Sequence, residues 1–215
     1  MSPSIIVLFV LAMWFNIMAI AFALFRIPML RYKREVTISI ILLSVVSVVI
    51  QLNKWFIVTG IVQPFLLFLC LLMIFRFNWQ HSLLVSQFGY VVSGLFEPVS
   101  AMLLSNFHFH EAIQVWKQEN SILAVLLLKT ALQLTFFLIL RRMRIGFTFV
   151  QPATKSLLRL TASTRLALGL FICASLSVSL SLFLRNALVL YVICGILFLL
   201  LIFLYIAYQR EMVEE

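Results

Sequence analysis

Seven apolar runs, separated by short polar interruptions, set the pattern of this chain: residues 4–25, 36–51, 55–75, 82–104, 121–140, 166–184 and 187–208. Most approach the length of about 20 residues with which a helix crosses the hydrocarbon core of a bilayer. Backbone in lipid has to satisfy its own hydrogen bonds, and a helix does so within one segment. The pattern therefore predicts an all-α fold, a polytopic transmembrane helical bundle of about seven spans that forms a single domain over residues 1–215. The second run is short, and Leu30 is an alternative start for it. Only Arg185 and Asn186 part the last two runs, whose combined length is about twice one span, so a tight helical hairpin is expected there.

Composition narrows the class. Hydrophobic residues make up 64% of the chain and charged residues 11%, with a mean hydropathy of +1.16, whereas soluble domains are about a quarter charged. A soluble globular protein is excluded on that ground. The formal net charge of +9 would suit nucleic acid, but the Lys and Arg residues stand in short clusters between apolar runs, the placement of topology signals. No nucleic-acid partner is expected. Cys70, Cys173 and Cys194 fall inside apolar runs without CxxC spacing and read as free thiols. The opening Met-Ser-Pro-Ser has no basic region ahead of its apolar run, so the first helix is expected to persist rather than to be cleaved as a signal.

Charge also orients the chain. One set of alternate connections holds Arg26, Arg31, Lys33, Arg34, Arg76, Arg141, Arg142, Arg144, Lys155, Arg159, Arg165 and Arg210; the other holds Lys54, Lys117 and Arg185. Basic residues are retained on the cytoplasmic side, so twelve against three predicts an outside N-terminus and an inside C-terminus. The expected setting is a multi-pass protein of the cytoplasmic membrane, with the lipid bilayer as its first partner. Two connections exceed a turn. Residues 105–120 place Phe109, Ile113 and Trp116 at helical spacing, as in a short helix lying in the outer interface. Residues 141–165 are basic and end in an amphipathic stretch suited to the anionic inner leaflet, a topogenic loop being the simpler account. No internal repeat is evident.

Ionisable groups at membrane depth are costly and are candidates for function. Glu97 lies seven residues before the outer end of the fourth run and Lys129 eight residues into the fifth, which at 1.5 Å per residue puts both roughly 10 to 12 Å below the outer surface. Consecutive helices run antiparallel, so a Glu97–Lys129 ion pair facing the bundle interior is expected. Gln133 follows Lys129 by one turn on the same face, and Gln63, beside Pro64, comes to a similar depth. Ser86, Tyr90, Ser93, Gly94, Glu97 and Ser100 form a small or polar stripe expected to face protein. Gln63, Glu97, Lys129 and Gln133 are thus the candidate ligand-binding residues of an outward-opening pocket. A purely structural network would use the same side chains.

Sharper chemistry fails on spacing. His108, His110 and Glu111 have the wrong helical phase for a HExxH zinc site, so no metal is expected. Cys70 and His81 lack an orienting carboxylate nearby. With no phosphate loop, nucleophile elbow or nucleotide motif, no catalytic residue, no cofactor and no enzymatic activity are expected.

The segments FRIPMLRYK after the first run, QFGYVVSGLFEP in the fourth and YQREMVEE at the end, together with the six-or-seven-span plan, resemble the N-terminal transmembrane sensor region of quorum-sensing histidine kinases of the accessory-gene-regulator (GHKL) type. The resemblance covers most of the chain as a hydropathy pattern with short motifs. It implies recognition of an extracellular peptide or small apolar signal and signalling through the C-terminal helix to a cytoplasmic partner or within a homodimer. The chain departs from that family in lacking the phospho-acceptor His region and the ATP-binding domain, so it would be a truncated sensor or a stand-alone relative. The expectation is a membrane-embedded signal-sensing receptor module. The alternatives are a small transporter or permease component, against which stands the missing inverted repeat, and a non-catalytic membrane accessory subunit.

Overall fold

A computed structural model describes residues 3–53, 56–106, 119–143 and 146 of the chain. The sixth and seventh runs, the hairpin at Arg185 and Asn186, the interfacial helix around Trp116, the basic inner connection, the C-terminal exit, His108, His110, Cys173 and Cys194 lie outside the described residues. Five α-helices and no strand occur among those described: α1 (Pro3–Leu24), α2 (Lys33–Leu52), α3 (Phe56–Met73), α4 (Trp79–Leu104) and α5 (Glu119–Met143), with a 3-10 turn at Met29–Tyr32 leading into α2. They match the first five apolar runs. Stretches of α1 (Ile6–Leu24) and α5 (Leu123–Met143) are long and apolar enough to cross a membrane by length and composition.

The helix ends explain the boundaries. At the end of α1 the amide of Ile27 donates to the Phe22 carbonyl (2.8 Å) and that of Arg26 to the Ala23 carbonyl (3.1 Å), while Arg26 takes a left-handed φ of 48°. This is the Schellman closure, with arginine at the position glycine usually takes, and Pro28 then stops the helix from resuming. α2 accordingly starts at Lys33, between the two starts expected for the second run. Arg76, after α3, repeats the left-handed turn at φ 55°. A side chain in that conformation costs about 1–2 kcal/mol.

Up-and-down packing follows from short connections and from contacts between the ends. Phe22, near the end of α1, meets Phe75 and Phe77, which follow α3, at ring distances of 5.3 and 6.5 Å. Tyr32, ahead of α2, meets the same two rings, tilted against Phe75 and edge-on to Phe77, and Phe25 meets Phe88 of α4 edge-on at 5.9 Å. Gly146, just after α5, lies so close to the Ala23 and Leu24 carbonyls that an added Cβ would approach each to 2.7 Å. The ends of α1, α3 and α5 and the starts of α2 and α4 therefore share one end of the bundle, which carries the basic residues.

α1 and α4 share the centre of the described bundle, α4 packing against α1, α3 and α5; α1 is the more deeply buried of the two. It packs against α2, α4 and α5, and Trp14, Ile17, Met18, Ala19, Ile20, Ala21 and Phe22 are all buried, as expected where a helix is apolar all round. At its crossing with α4, Gly89 approaches Ala21 so closely that a Cβ would come to 2.5 Å of the Ala21 Cβ. α2 is one-sided: Ser39, Leu43 and Ser47 face inward, and Ile38, Ile41, Leu42, Val45 and Val49 are exposed along the opposite stripe.

Candidate functional site: a polar network across the bundle

Every one of the five helices contributes a polar side chain to the interior. α1 supplies two donors in the middle of an otherwise apolar run. The Trp14 indole N–H donates to Ser47 Oγ of α2 (2.8 Å), and Asn16 Nδ2 donates to Gln133 Oε1 of α5 (3.3 Å). Ser47 also accepts from Gln63 Nε2 of α3 (3.2 Å), whose carbonyl accepts from the Tyr90 hydroxyl of α4 (3.3 Å). On the other side of α1, Gln133 Nε2 donates to the Ser93 carbonyl (3.0 Å) and to Ser93 Oγ (2.5 Å). A buried amide left without partners would cost about 1–3 kcal/mol. Here Gln63 and Gln133 each have both a donor and an acceptor contact.

The ion pair forms one helical turn farther from the basic end. Lys129 Nζ donates to Glu97 Oε2 at 2.6 Å, the lysine side chain being 9% exposed and the glutamate 29%. Glu97 follows Ser93 by four residues and Lys129 precedes Gln133 by four, so α4 and α5 are joined by two rungs roughly 6 Å apart along their axes. Consecutive antiparallel helices with matched depths produce this arrangement directly.

Beside the pair the surface opens. A Cβ added at Gly94 would meet nothing within 4 Å among the described residues, and Gly94 is exposed. Ser86, Ser93 and Ser100 are buried as expected of the α4 stripe, but Gly94 is not: one position round from Ser93, it turns about 100° away from the bundle interior. Pro98 has no N–H to give the Gly94 carbonyl four residues earlier. The local set is then a carboxylate, an ammonium and a backbone carbonyl deprived of its helical donor, next to open space.

Gln63, Lys129 and Gln133 are buried and Glu97 is part-exposed, and the four do not form one cluster. Glu97 and Lys129 touch, Gln133 stands one turn away on α5, and Gln63 belongs to the group made with Ser47 and Tyr90. Trp14, Asn16 and Ser47 complete the network and escaped sequence reasoning, although an asparagine and a tryptophan in the middle of an apolar run are a legible signal. Cys70 is a buried free thiol, and no group of three or more metal-ligating side chains occurs among the described residues. The chain matches no family model, no curated protein and no solved structure.

Proposed function

We propose that this chain is a multi-pass protein of the cytoplasmic membrane, N-terminus outside and C-terminus inside with about seven spans, acting as a signal-sensing receptor module. An extracellular peptide or small apolar signal enters the outer half of the bundle, shifts the packing of α4 against α5, and is read through the C-terminal helix by a cytoplasmic partner or a second copy of the chain. The resemblance to accessory-gene-regulator-type sensors belongs to the same proposal. One observation carries it: a 2.6 Å Glu97–Lys129 pair in an apolar bundle, with Glu97 part-exposed beside the open face at Gly94. The amide hydrogens of a peptide are suitable donors for the Glu97 carboxylate and the Gly94 carbonyl. Binding changes the packing only insofar as the signal prefers one arrangement of the pair. The exposed apolar stripe of α2 and the exposed Leu127, Leu134, Leu138 and Ile139 of α5 suit contact with lipid.

The test places an environment-sensitive fluorophore on Gly94→Cys in a background without the native cysteines, in vesicles, and titrates a panel of short linear and cyclic apolar peptides. A saturable change that disappears in Lys129→Met, with insertion intact, is expected. The same response in Lys129→Met overturns the role of the pair. The internal satisfaction of Gln63 and Gln133 favours a second reading, a non-catalytic accessory subunit. A stable complex with one membrane partner and no response to any peptide supports that reading.

A further inference from the structure

We propose that the basic end of the bundle is a binding surface for the headgroups of anionic phospholipids, anchored by Arg26 and Arg76. The inference rests on the membrane reading above. These two arginines occupy similar positions, two residues past the end of α1 and three past the end of α3. Each follows the end of a helix within a Phe-Arg-Ile or Phe-Arg-Phe sequence, each is exposed, and each holds a left-handed backbone, with φ of 48° and 55°. Glycine relieves that conformation, whereas arginine adds a charge and a planar fork of N–H donors suited to phosphate oxygens.

The two turns are held together. Phe22 packs on Phe75 and Phe77, and Tyr32 packs on both of the latter, so the two arginines project from one aromatic platform. Arg31, Lys33, Arg34, Arg141 and Arg142 are exposed at the same end. Among the described residues none of these cations pairs with an acid, the one ion pair being that of Lys129 with Glu97, and Glu35 is the only carboxylate at this end. The carbonyl ends of α1, α3 and α5 add negative potential that favours cations there. A cationic surface whose described residues include one carboxylate, Glu35, against seven exposed cations, at the depth where lipid phosphates lie, is complementary to an anionic leaflet, which attracts basic residues by roughly fivefold each.

The test uses the full chain in nanodiscs of phosphatidylcholine with or without phosphatidylglycerol, reading the lipid retained on the purified protein by mass spectrometry and the thermal midpoint. Wild type is expected to retain phosphatidylglycerol preferentially and to gain thermal stability from it. The double variant Arg26→Gly/Arg76→Gly is expected to lose about 25-fold in that preference, from the fivefold effect at each site. Its midpoint in phosphatidylcholine alone stays equal to or above that of wild type, because glycine relaxes both turns. Arg26→Gln/Arg76→Gln shows the same loss without the backbone change. Undiminished preference in both variants overturns the proposal, as does displacement of the lipid by inorganic phosphate or by an acidic polypeptide in solution. Release of the chain from vesicles by alkaline extraction overturns the membrane reading itself; firm insertion without a preference for phosphatidylglycerol overturns this inference alone.

Discussion

Replacing Glu97 and Lys129 by methionine, singly and together, separates a working ion pair from two unrelated charges. Lys129 is the more deeply placed partner, its side chain 9% exposed against 29% for Glu97. A lysine stranded at membrane depth costs about 2.5–3.5 kcal/mol on insertion scales, so Glu97→Met is expected to destabilise the bundle by about 3 kcal/mol. Lys129→Met strands a carboxylate that reaches the surface and keeps part of its hydration, and about 1–2 kcal/mol is expected. The double variant removes both charges and fills their space with apolar side chains, a change that is often neutral or stabilising, so it is expected to lie within about 1 kcal/mol of wild type. The coupling energy of the cycle is then about 4–5 kcal/mol, large against the few tenths expected of independent sites. Reversible unfolding in a mild detergent or in neutral nanodiscs measures all four proteins. A coupling below about 0.5 kcal/mol, or a milder loss for Glu97→Met than for Lys129→Met, would refute the reasoning.

Three further outcomes are expected. Gly89→Ala places a methyl against the Ala21 Cβ, attached directly to backbone, and is expected to lower stability by about 1–3 kcal/mol, whereas Gly94→Ala, which meets only open space, raises it by about 0.5–1 kcal/mol; thermal midpoints of the two decide, and equal signs sink the account. Gln133→Leu leaves the buried Asn16 amide without its acceptor and is expected to cost about 2–3 kcal/mol, against about 1 kcal/mol for Trp14→Phe, since Ser47 keeps its bond from Gln63. In intact cells, a membrane-impermeant thiol reagent is expected to label Asn53→Cys and to spare Arg142→Cys, both in a cysteine-free background. Labelling of Arg142→Cys alone reverses the proposed orientation.

Much of the bundle was legible in the sequence because apolar length and charge placement act locally. The first five runs became helices with ends shifted by up to three residues, and the shift at the start of α2 came from backbone chemistry at Arg26 and Pro28 that hydropathy does not record. The meeting of Glu97 and Lys129 was legible for a similar reason: antiparallel neighbours share a depth scale, and two lone charges at one depth have little else to pair with. Long-range partners were not. Nothing in the spacing of α1 says that Trp14 points to α2 while Asn16 points to α5, because that depends on α1 being central. The same ignorance of which helices surround α4 led to Gly94 being assigned to the protein-facing stripe.

The contact at Gly89 has a mechanical meaning for any motion of this bundle. With α1 and α4 in near backbone contact at Ala21, a one-residue slide of either helix drives side chains into the space that only a hydrogen fills. The pair behaves as a fixed axle. α5 is joined to α4 through the Ser93–Gln133 and Glu97–Lys129 rungs and to α1 through the Asn16–Gln133 bond and the close approach of Gly146 to the Ala23 and Leu24 carbonyls, and α2, linked to the polar interior by Ser47, is a strut on the opposite side. A tilt of α5 that breaks the Glu97–Lys129 rung would therefore pivot about its held end near Arg141 and Arg142, the end that also carries the two strained arginine turns.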